Sequence, residues 1–237
     1  MDSVGYFLSS RAADLDINDE KDTRLYLTQS RFPPFFFFLF ISPKTQKAGL
    51  LLTLDFVTVH DYLFLLREAA QIISKMDVNA MYYLAAAVSD FFIPQDKMSE
   101  HKIQSGDGLL NLSMDQVPKI LKPLVNDWTP KAFIVSFKLE TDEALLPTKS
   151  RQALRRYGHQ IVIGNILTTR KRVVKMITTE DETEIRLTQE EDEVEHIEIE
   201  SRIVPALIEK HTEWIEACGK RGECGIRHPT IAAPSFV

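Results

Sequence analysis

Residues 132–164 read AFIVSFKLETDEALLPTKSRQALRRYGHQIVIG, two short apolar runs separated by a helical one. Ala132 to Phe137 contains no breaker and reads as a buried strand. A helix follows to about Tyr157. Pro147 sets its start, because a proline further in would remove a backbone donor and break it. Gln160 to Gly164 is a second short buried strand. A strand, a helix and a strand in that order form the unit from which parallel sheets are built.

The alternation extends in both directions. Leu50 to Val57 is a buried strand, crowded with Leu and Val. From Asp61 to Met76 apolar residues recur at Leu63, Leu65, Leu66, Ala69, Ala70, Ile72 and Ile73, the spacing of a helix with one core-facing side. Ala80 to Val88 is a continuous apolar strand ending at Ser89 and Asp90. Pro94 to Gly108 reads as a long loop and Leu109 to Met114 as a short strand. Asp115 is expected to N-cap a helix reaching about Asn126, with Pro118 in its first turn. Val173–Thr178 and Glu184–Thr188 alternate around the turn-like Thr179–Thr183, as an edge hairpin does. Ile197 to Ala217 is an amphipathic helix in which Pro205 marks a kink or a late start, and residues 218–237 read as a disordered tail. The expected fold is α/β, three-layered, with a mostly parallel sheet followed by a C-terminal β-hairpin and helix.

Composition narrows the function. A net charge of −6 argues against a nucleic-acid partner, whose usual footprint is a basic face. Two cysteines, Cys218 and Cys224, cannot make a disulfide framework and lack redox or zinc spacing, so a cytoplasmic location is expected. Residues 1–30 show no signal-peptide pattern. Phe35 to Ile41 is apolar and β-prone, but far short of the roughly 20 residues that cross a bilayer. It reads either as a buried strand or as a poorly packed segment, and exposed it would invite aggregation. The acidic stretch Glu180–Glu200 reads as a solvated edge, and six scattered histidines offer no paired ligands, so no protein metal site is expected.

In an open parallel sheet ligands gather at the carboxyl ends of the strands. Four ends draw interest. At Ala85-Ala86-Ala87-Val88-Ser89-Asp90 small residues meet an acid, which suits either close ligand approach or tight packing with a capping aspartate. Glu100 to Ser105 carries Lys102 beside Gly106 and Gly108, either a flap over an anion or an ordinary surface loop. Phe137 could stack on a flat base or fill the core. Asn165 offers both a donor and an acceptor, for a base edge or for a turn.

Taken together, YYLAAAVSDFFIP, EHKIQSGDG, KAFIVSFKLETD and HQIVIGNIL closely resemble the eukaryotic phosphopantothenate–cysteine ligases, over about Ala48 to Glu216. The resemblance implies a Rossmann-like homodimer. It also implies ATP-dependent ligation of cysteine to phosphopantothenate through an acyl-adenylate, in coenzyme A synthesis, with Mg2+ arriving on the nucleotide. By match to the family motifs, Ala86, Ala87 and Asp90 would line the phosphopantothenate site and Lys102 would be the catalytic flap lysine. Phe137 and Asn165 would contact the nucleotide base. The lysines of the CTP-using bacterial pattern fall here at Ala153 and Tyr157, which favours ATP. Residues 1–47 diverge: the family's glycine-rich N-x-S-S-G-x-x-G phosphate cradle has no counterpart in residues 1–90, and Ser9-Ser10-Arg11-Ala12-Ala13 lacks its glycines. The resemblance thus leaves an alternative, a catalytically impaired form acting as a dimer partner.

Overall fold

A computed structural model describes residues 4–9, 24–29, 51–86, 90–99, 101, 112–193 and 197–221. Ten strands are present among them: β1 Val4–Ser9, β2 Arg24–Gln29, β3 Leu51–Phe56, β4 Ala80–Leu84, β5 Phe91–Phe92, β6 Asp115–Gln116, β7 Phe133–Glu140, β8 Ile161–Ile166, β9 Val173–Ile177 and β10 Glu182–Arg186. The helices are α1 Val59–Ile73, α2 Leu121–Pro123, α3 Leu146–Tyr157, α4 Gln189–Glu193 and α5 Glu200–Arg221.

Eight strands form one sheet in the order β10-β9-β8-β7-β4-β1-β2-β3. β4, β7 and β8 pair in parallel, as do β2 and β3, whereas β1 is antiparallel to both its neighbours. β9 is antiparallel to β8 and β10 to β9. Hence β2, β3, β4, β7, β8 and β10 run one way, and β1 and β9 the other. The fold is α/β with a mixed, mostly parallel sheet, as the alternation of elements implies. β5 and β6 form a separate two-stranded ribbon.

Helices cover both faces. On one, α1 packs Tyr62, Leu66 and Ala70 against Phe56, Tyr82 and Ile134. A reciprocal capping box between Thr58 and Asp61 fixes where α1 begins. On the other face, Ile199, Ile203 and Leu207 cover Met81, Tyr83, Phe133, Val135, Ile161 and Ile163. Buried His211 fastens α5 to the amino ends of the strands: its Nε2 donates to the Val78 carbonyl (2.8 Å) and its ring stacks on Phe133. Trp214 Nε1 donates to the Lys131 carbonyl at 3.1 Å.

Within 132–164 the structure follows the sequence closely. α3 opens with Pro147 in its first turn and closes on Gly158, whose φ of 78° is the left-handed cap that glycine adopts freely. Gly164 on β8 faces Leu146: a Cβ there would lie 3.0 Å from Leu146 Cδ1, so the missing side chain lets α3 sit close to the sheet.

Several boundaries differ from expectation. β4 ends at Leu84, short of Val88, because the Ala85 N–H turns back onto the Tyr83 carbonyl (3.3 Å). Asp115 caps no helix. It lies in β6, opposite Phe92, with Lys97 Nζ 2.8 Å from its carboxylate. Pro118 disfavours helical geometry at Val117, and the helical stretch begins at Leu121. It then widens into a π-helical turn, Leu124–Trp128, closed by Thr129 N–H on the Leu124 carbonyl (2.9 Å). Of the expected strand Leu109–Met114, residues 109–111 lie outside the described residues, and Leu112 to Met114 are irregular. α5 begins at Glu200, contains Pro205, and continues to Arg221, through residues expected to be disordered. Two strands from residues 1–47, β1 and β2, complete the sheet between β4 and β3. Phe35–Ile41 and residues 222–237 lie outside the described residues.

Candidate functional site

The carboxyl ends of β4, β7 and β8 lie along one edge, and strand alternation decides which side chains meet there. On the α5 face the register aligns Tyr83 with Val135, then Phe137 with Ile163, then Leu139 with Asn165. Asn165 is also opposite Val174, a member of the core on that face. Phe137 and Asn165 therefore project to the same side, beyond the last fully buried layer. Phe137 meets Tyr83 edge-on at 4.8 Å, which leaves it half-buried rather than enclosed. Leu139, in register with Asn165, is 41% exposed.

Asn165 carries an unsatisfied group. Its Oδ1 is buried and has no hydrogen-bond partner among the described residues. Native proteins seldom leave a buried acceptor unpaired, since this costs about 1–3 kcal/mol. A buried acceptor near a strand end, in register with an exposed leucine and on the same face as a half-buried phenylalanine, suits a flat ligand that supplies an N–H donor.

Ala86 lies on the opposite face, half-buried against the α1 core. Asp90 follows a short gap later. Its carboxylate is 73% exposed and accepts a charged hydrogen bond from Lys119 at 2.6 Å. That bond, then the Lys119 charge, and more weakly the charge of Lys138, hold the Asp90 carboxyl below its ordinary range, so it is ionised at neutral pH. The Asp90 carbonyl also accepts from the Val117 N–H (3.0 Å), next to the β5–β6 ladder. Lys138 binds Glu140 (3.1 Å), which also holds Lys149 (2.8 Å), and Glu140 too is kept ionised by these two lysines, Lys149 foremost.

The described residues thus put Ala86 on the α1 face and Phe137 and Asn165 on the α5 face, while Asp90 is joined to Lys119 and feels the charge of Lys138. Ala87 and Lys102 lie outside the described residues. Sequence reading missed Lys119. The sign that could have found it is the antiparallel return of 115–119 past Asp90, which no local pattern announces. Behind the edge, Ser136 Oγ and His159 Nε2 are 2.8 Å apart. Burial pushes the His159 imidazole down to about 4, so it is neutral at pH 7. Among the described residues no group of three or more His, Cys, Asp or Glu is arranged to hold a metal ion, and no helix is long and apolar enough to cross a membrane. Acids of the 180–200 stretch are paired with bases, Glu182 with Arg151 and Lys175, Glu191 with Arg202, and Asp192 with Arg172.

Comparison with known proteins converges on one family. The family model described as "DNA/pantothenate metabolism flavoprotein C-terminal domain" matches residues 46–208. The human protein named phosphopantothenate–cysteine ligase is 49% identical over 172 residues, 73% of this chain and 55% of that protein. The Saccharomyces cerevisiae ligase CAB2 is 41% identical over 191 residues, 72% of this chain and 50% of that protein. The chain therefore spans about half the length of these relatives. A solved mutant of Cab2 in complex with phosphopantothenate-cysteine superposes with a TM-score of 0.65 at 39% identity, covering 76% of this chain and 63% of that one. A flavoprotein from Streptococcus pneumoniae, 19% identical with a TM-score of 0.51 over 81% of this chain and 79% of that one, shares the fold. On these grounds the chain belongs to the phosphopantothenate–cysteine ligase family, enzymes of coenzyme A synthesis.

Proposed function

We propose that this chain carries the acyl-binding and base-binding edge of a phosphopantothenate–cysteine ligase, and that it acts in the ATP-dependent joining of cysteine to phosphopantothenate. Ala86, Ala87 and Asp90 bind phosphopantothenate and its activated form. Phe137 stacks on the adenine, and Asn165 Oδ1 accepts from its exocyclic amine. Lys102 meets phosphate charge as the acyl-adenylate forms, with Mg2+ carried in on the nucleotide. A carboxylate is a poor electrophile, so adenylation with loss of pyrophosphate makes its carbonyl attackable by the cysteine amine. Binding both partners at one edge removes the cost of a bimolecular encounter, and positive groups offset the charge that develops on phosphate. The protein works as a homodimer in the cytosol.

The observation that carries this reading is the buried Asn165 acceptor, without a partner among the described residues, on the same face as half-buried Phe137. Its test is pyrophosphate release by the purified protein with ATP, phosphopantothenate and cysteine. Release that requires cysteine supports it; no release with all three present refutes catalysis by this chain.

One observation favours a second reading. β1 enters the sheet antiparallel, with Val4 opposite Thr28 and Tyr6 opposite Tyr83, so its amino end lies at the candidate-site edge. A phosphate cradle is built where a strand's carboxyl end turns into a helix, and between β4 and β2 no such turn opens on this edge among the described residues. A chain that binds ligand and pairs with a full-length subunit without turning over fits that geometry. Such a chain would co-purify with a full-length ligase, and failure to do so would count against it.

A further inference from the structure

Asp90 is the charged side chain of the proposed acyl region, yet its carboxylate is largely exposed among the described residues. Its orientation comes from the segment that follows β6. There Val117 N–H donates to the Asp90 carbonyl (3.0 Å) and Lys119 Nζ to Oδ1 (2.6 Å), so backbone and side chain are gripped from one short stretch. That stretch is itself fixed by pairing of Phe91 with Gln116 and Phe92 with Asp115, and by Lys97 on Asp115 at 2.8 Å. Among the described residues Lys119 contacts no other acid, whereas Lys138 is shared with Glu140.

An ion pair this exposed contributes little to stability, about 0–1 kcal/mol. Its consequence is where it places charge. Phosphopantothenate is an anion with a phosphate at one end and a carboxylate at the other, and an uncompensated Asp90 would repel it. An ammonium at 2.6 Å removes that repulsion and limits Asp90 to one orientation, leaving its second oxygen free to accept from the ligand.

We infer that Lys119 is the positioning residue for Asp90, and that it adapts the acyl region to an anionic pantothenate-type ligand by orienting and neutralising that carboxylate. The inference rests on the proposed function, and the experiment separates the two. Phosphopantothenate is titrated calorimetrically into the wild type, Lys119→Met, Lys119→Arg, Asp90→Asn and the double variant K119M/D90N. Because the pair adds little stability, the variants fold, which their urea midpoints check. Lys119→Met is expected to bind about tenfold more weakly, the scale of a lost charge-assisted hydrogen bond, and Lys119→Arg to recover most of that loss. The double variant should bind no worse than Asp90→Asn alone, since Lys119 acts through Asp90. If the wild type binds and Lys119→Met binds equally well, or if the two losses add, the inference is wrong and the proposed function stands. If the wild type does not bind phosphopantothenate, both are wrong.

Discussion

His159 should make this protein lose stability in mild acid by an amount set by its surroundings. The imidazole is 4% exposed, one nitrogen lies 2.8 Å from Ser136 Oγ, and the other is buried without a partner among the described residues. Burial lowers its pKa from 6.5 to about 4. Between those values the unfolded chain takes up a proton that the folded chain refuses. The stabilisation is therefore complete above about pH 6.5 and is lost as pH falls toward 4. The full difference is about 3 kcal/mol, and about 2 kcal/mol of it is lost between pH 7.5 and 5. With a urea m-value of about 2 kcal/mol/M, the midpoint should fall by about 1 M over that range. His211, also lowered by burial, acts in the same direction, and Glu200, raised by burial, in the opposite one. Comparison with His159→Gln cancels both, because the variant keeps them and its amide can still reach Ser136. The variant should show a pH dependence smaller by about 2 kcal/mol. An identical dependence in the two proteins would refute the assignment of a neutral, buried His159.

Two further substitutions probe the site and its support. Gly164→Ala puts a Cβ 3.0 Å from Leu146 Cδ1 and should cost about 1–3 kcal/mol in a denaturation curve; an unchanged midpoint would mean that α3 yields freely. Asn165→Leu replaces a buried acceptor that has no partner among the described residues with an apolar group of similar size, so it should raise stability by up to about 1 kcal/mol while weakening ATP binding. A destabilised Asn165→Leu would show that the amide is satisfied in the folded protein.

The elements that proved legible are those whose signal is local. Apolar runs gave β3, β7 and β8, helical spacing gave α1, and Pro147 sets the start of α3 because it restricts the backbone where it stands. The β9–β10 hairpin was legible for the same reason, with its turn shortened to about Thr178–Asp181. What was lost depends on partners distant in sequence. Asp115 has the composition of an N-cap, and only pairing with Phe92 makes it part of a strand. Ala85 to Val88 continues the apolar run of β4, yet a single turn at Ala85 ends the ladder. In the site, Phe137 and Asn165 could be read as strand-end residues, but their shared face and the unpaired Oδ1 emerge only from the register of β7, β8 and β9. The Lys119 contact spans 29 positions and leaves no periodic trace.

In the proposed function, one sheet edge divides into an acyl region at Asp90 and a base region at Phe137 and Asn165. Calorimetric affinities for phosphopantothenate and for ATP, measured side by side on the wild type, Asp90→Asn and Asn165→Leu, test it most directly. Asp90→Asn should weaken binding of phosphopantothenate alone and Asn165→Leu binding of ATP alone. Absence of binding to the wild type, or loss of both ligands together in either variant, would contradict it.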